Sequence, residues 1–162
     1  MQLPDPERLL AVLTEQVRRA VTADTALIGI HTGGAWLAER LHAALGLSTP
    51  PGMLDISFYR DDFSRIGLHP QVKPSRIPFA VEGRDVLLVD DVLYTGRTVR
   101  AAMNEIFDFG RPDRIRLAVL LDRSGRELPV CPDFVGANLH LPPASEVVLS
   151  RDEAGKLVLS LG

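Results

Sequence analysis

The stretch VLLVDDVLYTGRT, residues 86–98, decides how this 162-residue chain folds. A run of apolar residues leads into the adjacent acids Asp90 and Asp91, and a short turn then leads into a helical pattern. The pattern predicts a buried strand that carries both acids at its C-terminal end, where open α/β sheets bind ligands. The turn can aim several backbone N–H groups at one phosphate, and the following helix adds the positive end of its dipole.

Adjacent acids beside a phosphate-binding turn indicate a site for a sugar phosphate. Because carboxylates would repel a phosphate in direct contact, we expect Asp90 and Asp91 to accept hydrogen bonds from ribose hydroxyls, with Mg²⁺ offsetting their charge. Further donors and a close backbone approach come from Thr95, Gly96, Arg97 and Thr98. The alternative is a solvated acid pair before an ordinary helix. A P-loop is excluded, because the pattern G-x-x-x-x-G-K-[ST] does not occur in this turn.

Composition favours one globular domain over residues 1–162. Hydrophobic residues make up 46% of the chain and charged residues 24%, and the length suits a single core. The net charge of −3 argues against a strongly basic nucleic-acid-binding protein, although a local basic patch stays open. Neither a signal-peptide pattern nor an apolar run of membrane-spanning length is visible, so we expect no membrane partner and a cytoplasmic location.

Strand and helix patterns alternate along the chain. Strands are predicted at residues 25–31, 53–60, 85–90 and 115–121, and helices at residues 9–20, 37–45 and 99–109. This alternation predicts an α/β fold with a parallel sheet that is covered by helices on both faces. Residues 61–80 have no period and contain three prolines, and long irregular loops of this kind often form active-site lids.

Three segments make the chain resemble a known family. They are YRDD at residues 59–62, DDVLYTGRTVR at 90–100 and DRSGRELPVCPDFVG at 122–136. The second is typical of type I phosphoribosyltransferases, and the third narrows the resemblance to the PyrR family of pyrimidine operon regulatory proteins and uracil phosphoribosyltransferases. The likeness implies a central, mainly parallel sheet flanked by helices, a flexible lid at about 61–80 and a small C-terminal hood at about 122–140.

The resemblance also assigns roles to individual residues. Asp90 and Asp91 would hold the ribose hydroxyls of phosphoribosyl pyrophosphate (PRPP), and Arg60 would lie near its pyrophosphate, so that these three form the catalytic set. The pyrophosphate loop would comprise Thr32, Gly33 and Gly34. The strand end and the 5′-phosphate loop would comprise Val92, Leu93, Tyr94, Thr95, Gly96, Arg97 and Thr98. The hood would contribute Arg123 near the nucleotide, Phe134 for stacking on the base and Val135 for backbone hydrogen bonds to uracil.

The sequence departs from the family pattern at Gly33. The family usually has Thr-Arg-Gly in the pyrophosphate loop, and Gly33 stands in place of the arginine, which removes a cation from the leaving group. Cations that could replace it are Arg60, Arg65, Lys73 and Arg76. Members of this family often have a non-proline cis peptide bond in the loop, and we predict one between His31 and Gly34.

By this resemblance, the expected reaction joins uracil to PRPP and gives UMP and pyrophosphate. Mg²⁺ would bind with the substrate rather than in a protein metal site. Attenuator mRNA and a second copy of the chain are the other expected partners. Two alternatives stay open: an RNA-binding attenuation regulator with weak or no transferase activity, and a phosphoribosyltransferase for another base. Purine hoods tend to place a lysine over the base, and the absence of lysine between Lys73 and Lys156 favours uracil.

Overall fold

The structure is a computed structural model that describes residues 1–56 and 75–162 of the chain. Its helices are α1 (Pro6–Arg18), α2 (Gly33–Leu45) and α3 (Arg97–Phe109). Its strands are β1 (Thr25–Ile30), β2 (Gly52–Leu54), β3 (Asp85–Leu93), β4 (Arg114–Arg123), β5 (Phe134–Leu139), β6 (Val147–Arg151) and β7 (Leu157–Leu161). Within these described ranges, no helix is both long and apolar enough to cross a membrane.

Five strands form one sheet in the order β2-β1-β3-β4-β5, and every pairing is parallel. The predicted parallel α/β sheet is therefore confirmed. β3 lies in the centre, and its residues 86–89 are fully buried, because a parallel strand with helices on both faces has no solvated side. Parallel strands all end at the same edge of a sheet, so Asp90 and Asp91 lie near the loops that follow β1 and β4.

Helices cover both faces of the sheet. α1 and α2 pack on one face, in an apolar cluster that includes Leu13, Leu37 and Leu87. α3 packs on the other face, where Ile106 joins Leu88 of β3. Burying each large apolar side chain contributes about 1.5–3 kcal/mol, and this burial is what fixes the helices against the site-bearing strand.

The C-terminal hairpin covers the outer side of α1. β6 and β7 pair antiparallel, and Leu149 and Leu157 join the first apolar cluster. The backbone N–H of Leu157 donates to Glu7 of α1 at 3.0 Å. Glu7 also accepts a 2.6 Å hydrogen bond from Arg40 of α2, which holds the pKa of that carboxyl below its usual value. The hairpin, α1 and α2 are thus joined at one carboxylate.

The structure adds detail to two predicted segments. The strand expected at residues 53–60 is described as β2 at residues 52–54, and residues 57–60 lie outside the described ranges. Within the segment expected to form the hood, residues 134–139 form β5, the edge strand of the main sheet, which pairs with β4. Gln16 of α1 binds both backbone groups of Val135 and ties the start of this strand to the helix.

An ionic cluster lies at the opposite edge of the sheet, where β3 begins. Asp85 accepts hydrogen bonds from Thr25 at 2.8 Å, from Arg114 at 2.7 Å and from Arg116 at 2.9 Å. Burial raises the pKa of Asp85, but the hydrogen bonds from Arg114 and Thr25 and the positive charges of both arginines outweigh it and hold the pKa below its usual value. The cluster therefore joins β1, β3 and β4 away from the acid pair.

Asp85→Asn is expected to lower the free energy of unfolding at pH 7 by about 2 kcal/mol, because charge-assisted hydrogen bonds to a carboxylate are lost. Because the pKa of Asp85 is lowered in the folded state, the Asp85 carboxylate stabilises the protein at pH values above its usual pKa of 3.8. This contribution is lost as the pH falls through the folded-state pKa. Denaturant unfolding should therefore show a difference between wild type and variant that shrinks below about pH 4. The exposed acid Asp113, changed to asparagine, is the control; a pH-independent difference would contradict this role of Asp85.

Candidate active site

The acid pair at the end of β3 has a defined geometry. Asp90 is buried, with 5% of its surface exposed, whereas Asp91 is half-buried. The N–H of Asp91 donates to Asp90 Oδ1 at 2.9 Å, and the N–H of Val92 donates to Asp91 Oδ1 at 2.8 Å. Each carboxylate is thus fixed by the backbone of the next residue. Asp91 is the more accessible of the two acceptors for a ligand.

The predicted pyrophosphate loop lies directly beside this acid pair. The His31–Thr32 peptide bond is cis, which confirms the predicted position, and α2 begins at Gly33. A Cβ atom on Gly34 would lie 2.5 Å from the carbonyl oxygen of Val89, and one on Gly33 would collide with Asp91 Oδ2. The two glycines therefore let the N-terminus of α2 approach the end of β3. A side chain at Gly33 would require the Asp91 carboxylate to shift from its observed position.

The loop between β3 and α3 forms a small cavity at the same edge. Gly96 has a φ of +94°, a left-handed conformation that glycine adopts without strain. The hydroxyl of Thr95 accepts a hydrogen bond from the N–H of Arg97 at 3.2 Å, and the Arg97 side chain pairs with Glu127 at 2.9 Å. The cavity measures about 130 Å³ and is lined by Asp90, Val92, Leu93, Tyr94, Thr95, Gly96, Thr98 and Val99. The structure thus brings the expected phosphate loop and an acid of the pair together.

Tyr94 contacts the last residue of β4 and a glycine two positions after it. The guanidinium carbon of Arg123 lies 3.9 Å from the centre of the Tyr94 ring, and a Cβ atom on Gly125 would collide with Cε1 and Cδ1 of that ring. Arg123 is buried and donates to the carbonyl oxygens of Pro142, at 2.9 Å, and Ser145. Arg123 therefore contacts the phosphate loop by stacking on Tyr94, and its expected place near the nucleotide stays a prediction.

Strand β4 separates Phe134 and Val135 from the acid pair. Val135 lies level with Asp90 across the sheet, and Val119 of β4 lies between them. Phe134 packs at the first apolar cluster, with Arg116 5.7 Å from its ring centre. The N–H and C=O of Val135 bind Gln16 at 3.1 Å and 2.9 Å, so in this structure these groups serve the contact with α1. Arg60, the third expected catalytic residue, lies outside the described residues.

Sequence reasoning missed Arg126 and a cavity beside it. Arg126 binds both oxygens of Asp122 at 2.9 Å and 2.8 Å and the carbonyl oxygen of Tyr94 at 2.7 Å. The cavity measures about 280 Å³ and is lined by Asp122, Ser124, Gly125, Arg126, Asn138, Leu139 and His140. The sequence does place Asp122 and Arg126, which have opposite charges, four residues apart. Such pairs are common on solvated surfaces, so the spacing did not indicate a functional site.

Comparisons with known proteins agree with this geometry. The family model of the phosphoribosyl transferase domain matches residues 2–140. The Bifunctional protein PyrR of Nitrosococcus oceani is 61% identical over 127 residues, which cover 77% of this chain and 72% of that protein. The Bifunctional protein PyrR of Pseudomonas paraeruginosa is 52% identical over 163 aligned residues, covering 98% of this chain and 91% of that protein.

Solved structures show the same architecture. The hypoxanthine phosphoribosyltransferase of Trypanosoma cruzi, a ternary substrates complex, is 25% identical with a TM-score of 0.69, covering 97% of this chain and 92% of that one. The purine phosphoribosyltransferase of Pyrococcus horikoshii is 26% identical with a TM-score of 0.63, covering 91% of this chain and 93% of that one. The strand order and the site at the sheet edge therefore belong to a fold that is already known to carry phosphoribosyl transfer.

Proposed function

Because the chain belongs to the PyrR family of phosphoribosyltransferases, we propose that it transfers the phosphoribosyl group of PRPP to uracil, giving UMP and pyrophosphate. The observation that carries this proposal is the meeting of three parts at one sheet edge. They are the acids Asp90 and Asp91, the loop at residues 94–98 with its cavity, and the glycine N-terminus of α2. These parts match the diol, the 5′-phosphate and the pyrophosphate of PRPP.

Each part has a separate task in this reaction. The N–H groups of the loop and the positive end of α3 hold the 5′-phosphate. Asp91 accepts hydrogen bonds from ribose hydroxyls and stabilises the positive charge that develops at C1′ as the bond to pyrophosphate breaks. The N1 nitrogen of uracil then bonds to C1′ and releases its proton to water, and pyrophosphate leaves with the electron pair. Positioning and charge stabilisation supply the catalysis, with no covalent nucleophile required.

Mg²⁺ is part of the proposal as a companion of PRPP. It would bind through oxygens of PRPP and water, and its positive charge would offset the negative charges of the nearby Asp90 and Asp91. When bound, it would neutralise negative charge on the leaving pyrophosphate.

The base would lie beside Tyr94, in the 280 Å³ cavity at the ends of β4 and β5. Ser124 and Asn138 line this cavity and offer the donors and acceptors that a pyrimidine edge requires. The expected base contacts of Phe134 and Val135 would need β5 to separate from Gln16. This placement keeps the base on the same edge as the phosphate loop.

The direct test measures product formation from PRPP with each of three bases. Purified protein, Mg²⁺ and PRPP are incubated with uracil, hypoxanthine or orotate, and the nucleotide is separated by chromatography. UMP as the dominant product supports the proposal. Preference for hypoxanthine or orotate would overturn the assignment to uracil, and no nucleotide with any of the bases would overturn the transferase reaction.

Thr95→Ala is expected to weaken PRPP binding about five- to tenfold, because one hydroxyl donor to the 5′-phosphate is lost. The hydroxyl also accepts the Arg97 N–H, so the first turn of α3 loses a local contact. Calorimetric titration with PRPP measures the change. Thr95→Ser, which keeps the hydroxyl, should retain most of the affinity; unchanged binding in Thr95→Ala would place the phosphate elsewhere.

A regulatory role is the second candidate, because the relatives are named Bifunctional protein PyrR. We propose that the chain also binds attenuator mRNA in a manner that responds to UMP, as a cytoplasmic homodimer. The binding should weaken with rising salt, since contacts to RNA phosphates release counterions. Weak RNA binding that ignores UMP would indicate an enzyme without this second role, and sedimentation analysis tests the dimer.

A further inference from the structure

A neighbouring turn, residues 126–128, donates hydrogen bonds to backbone carbonyl oxygens of the phosphate loop. The carbonyl oxygen of Tyr94 accepts from Arg126 at 2.7 Å. The carbonyl oxygen of Thr95 accepts from the N–H groups of Glu127, at 2.9 Å, and Leu128, at 3.1 Å. An anion site needs N–H groups that point at the ligand and carbonyl oxygens that point away from it. Residues 126–128 bind the carbonyl oxygens of Tyr94 and Thr95 and thereby hold them in the orientation that points away from the ligand.

Arg126 does not have the contacts of a phosphate ligand. Its side chain binds both oxygens of Asp122, at 2.9 Å and 2.8 Å, and the carbonyl oxygen of Val130 at 2.8 Å, besides Tyr94. Nη2 contacts both carboxylate oxygens of Asp122, whose negative charge offsets that of the guanidinium, and each of the three nitrogens already donates within the protein. Arg126 lines the 280 Å³ cavity, but its side chain is engaged within the protein, so we expect it to act on the 5′-phosphate through the loop that it holds.

The same turn also packs against the loop at Gly96. A Cβ atom on Gly96 would lie 3.2 Å from Val130 Cγ2 and 3.4 Å from Leu128 Cβ. The left-handed backbone of Gly96 is thus enclosed by apolar side chains on its outer side. Hydrogen bonds and packing from one turn therefore restrain three consecutive residues of the loop.

We propose that residues 126–130 form a clamp that holds the phosphate loop in its anion-binding conformation, with Arg126 as a positioning residue for the 5′-phosphate of PRPP and UMP. The inference rests on the proposed function and deepens it. It explains why a turn that follows β4 is tied to a loop that follows β3. It also gives the Arg-Glu-Leu-Pro sequence at residues 126–129 a physical task.

The test compares Arg126→Met with Arg116→Met, using UMP and pyrophosphate as calorimetric probes. Arg116 is the control, because like Arg126 it joins a carboxylate to a backbone carbonyl group: it binds Asp85 at 2.9 Å and the carbonyl oxygen of Ala20 at 3.0 Å, at the opposite edge of the sheet. Arg126→Met should bind UMP about fivefold more weakly, equal to about 1 kcal/mol. Pyrophosphate, which has no 5′-phosphate, should bind with unchanged affinity. Arg116→Met should lower the melting temperature and leave UMP affinity unchanged.

Three outcomes would overturn the clamp. They are unchanged UMP affinity in Arg126→Met, equal losses for UMP and pyrophosphate, or an equal loss of UMP affinity in Arg116→Met. If Arg126→Met does not fold, Arg126→Lys decides, since lysine keeps the charge and loses the planar set of donors; full UMP affinity in that variant would overturn the clamp. If the wild-type protein binds neither UMP nor PRPP, both the proposed function and the clamp are overturned. If the wild-type protein binds them and only the variants behave differently from the expectation, the clamp alone is overturned.

Discussion

Asp91→Asn is expected to lower kcat/KM for PRPP and uracil by about 100-fold, or about 2.7 kcal/mol, while the fold stays intact. Asp91 is half-buried at the end of β3, and its Oδ1 accepts the Val92 N–H at 2.8 Å. Asparagine keeps this shape and one oxygen acceptor. It loses the negative charge that stabilises the ribose as positive charge develops at C1′. The loss should therefore fall mainly on kcat.

Steady-state kinetics and thermal unfolding together test this expectation. Asp108→Asn is the matched control, since Asp108 is an exposed acid near the end of α3. The control should keep wild-type kinetics, and both variants should unfold near the wild-type temperature. A loss smaller than about tenfold in Asp91→Asn would reject the role of Asp91 in binding the ribose.

Gly34→Ala is expected to destabilise the protein by about 3 kcal/mol and to abolish most of the activity. The added Cβ would lie 2.5 Å from the carbonyl oxygen of Val89 and 3.1 Å from the Cα of Asp90. Both atoms belong to the backbone of the central strand, so no change of rotamer can relieve the contact. The N-terminus of α2 would have to move away from β3, which separates the pyrophosphate loop from the acid pair.

Calorimetric unfolding should show a melting temperature about 6–12 °C below wild type for a domain of this size. Gly155→Ala is the comparison, because Gly155 has a φ of +83° and open space around it. That variant carries backbone strain without a steric contact, so it should lose less stability and keep its activity. Wild-type stability and kinetics in Gly34→Ala would show that α2 does not need its close approach to β3.

The sequence was sufficient for the central part of the fold and site. The apolar run at residues 86–89, the acids after it and the glycine turn specify β3, the phosphate loop and α3 through local patterns alone. Parallel pairing followed from the alternation of strands and helices, since such connections place helices on both faces of a sheet. The pattern of Gly33 and Gly34 also marked the loop that the structure places beside Asp91.

The remaining features depend on contacts between distant residues. Gln16 binds Val135, 119 positions away in the sequence, and ties the start of β5 to α1, while β5 itself pairs with β4. The sequence of β5, FVGANL, contains residues that are poor strand formers, so local propensity gave no strong strand signal. Arg126 resembled a solvated turn residue, because its acceptors in the phosphate loop precede it by some thirty positions.

The central position of β3 in the sheet also affects how the protein folds during its synthesis. Its first residue, Asp85, binds Thr25, 60 positions earlier, and residues 85–89 of β3 pair with residues 25–29 of β1. While a ribosome is still producing the first half of the chain, β1 therefore lacks the neighbour that covers one of its edges. Pairing across such long separations is slow, and the emerging apolar segments are prone to aggregate until the middle of the chain has left the exit tunnel.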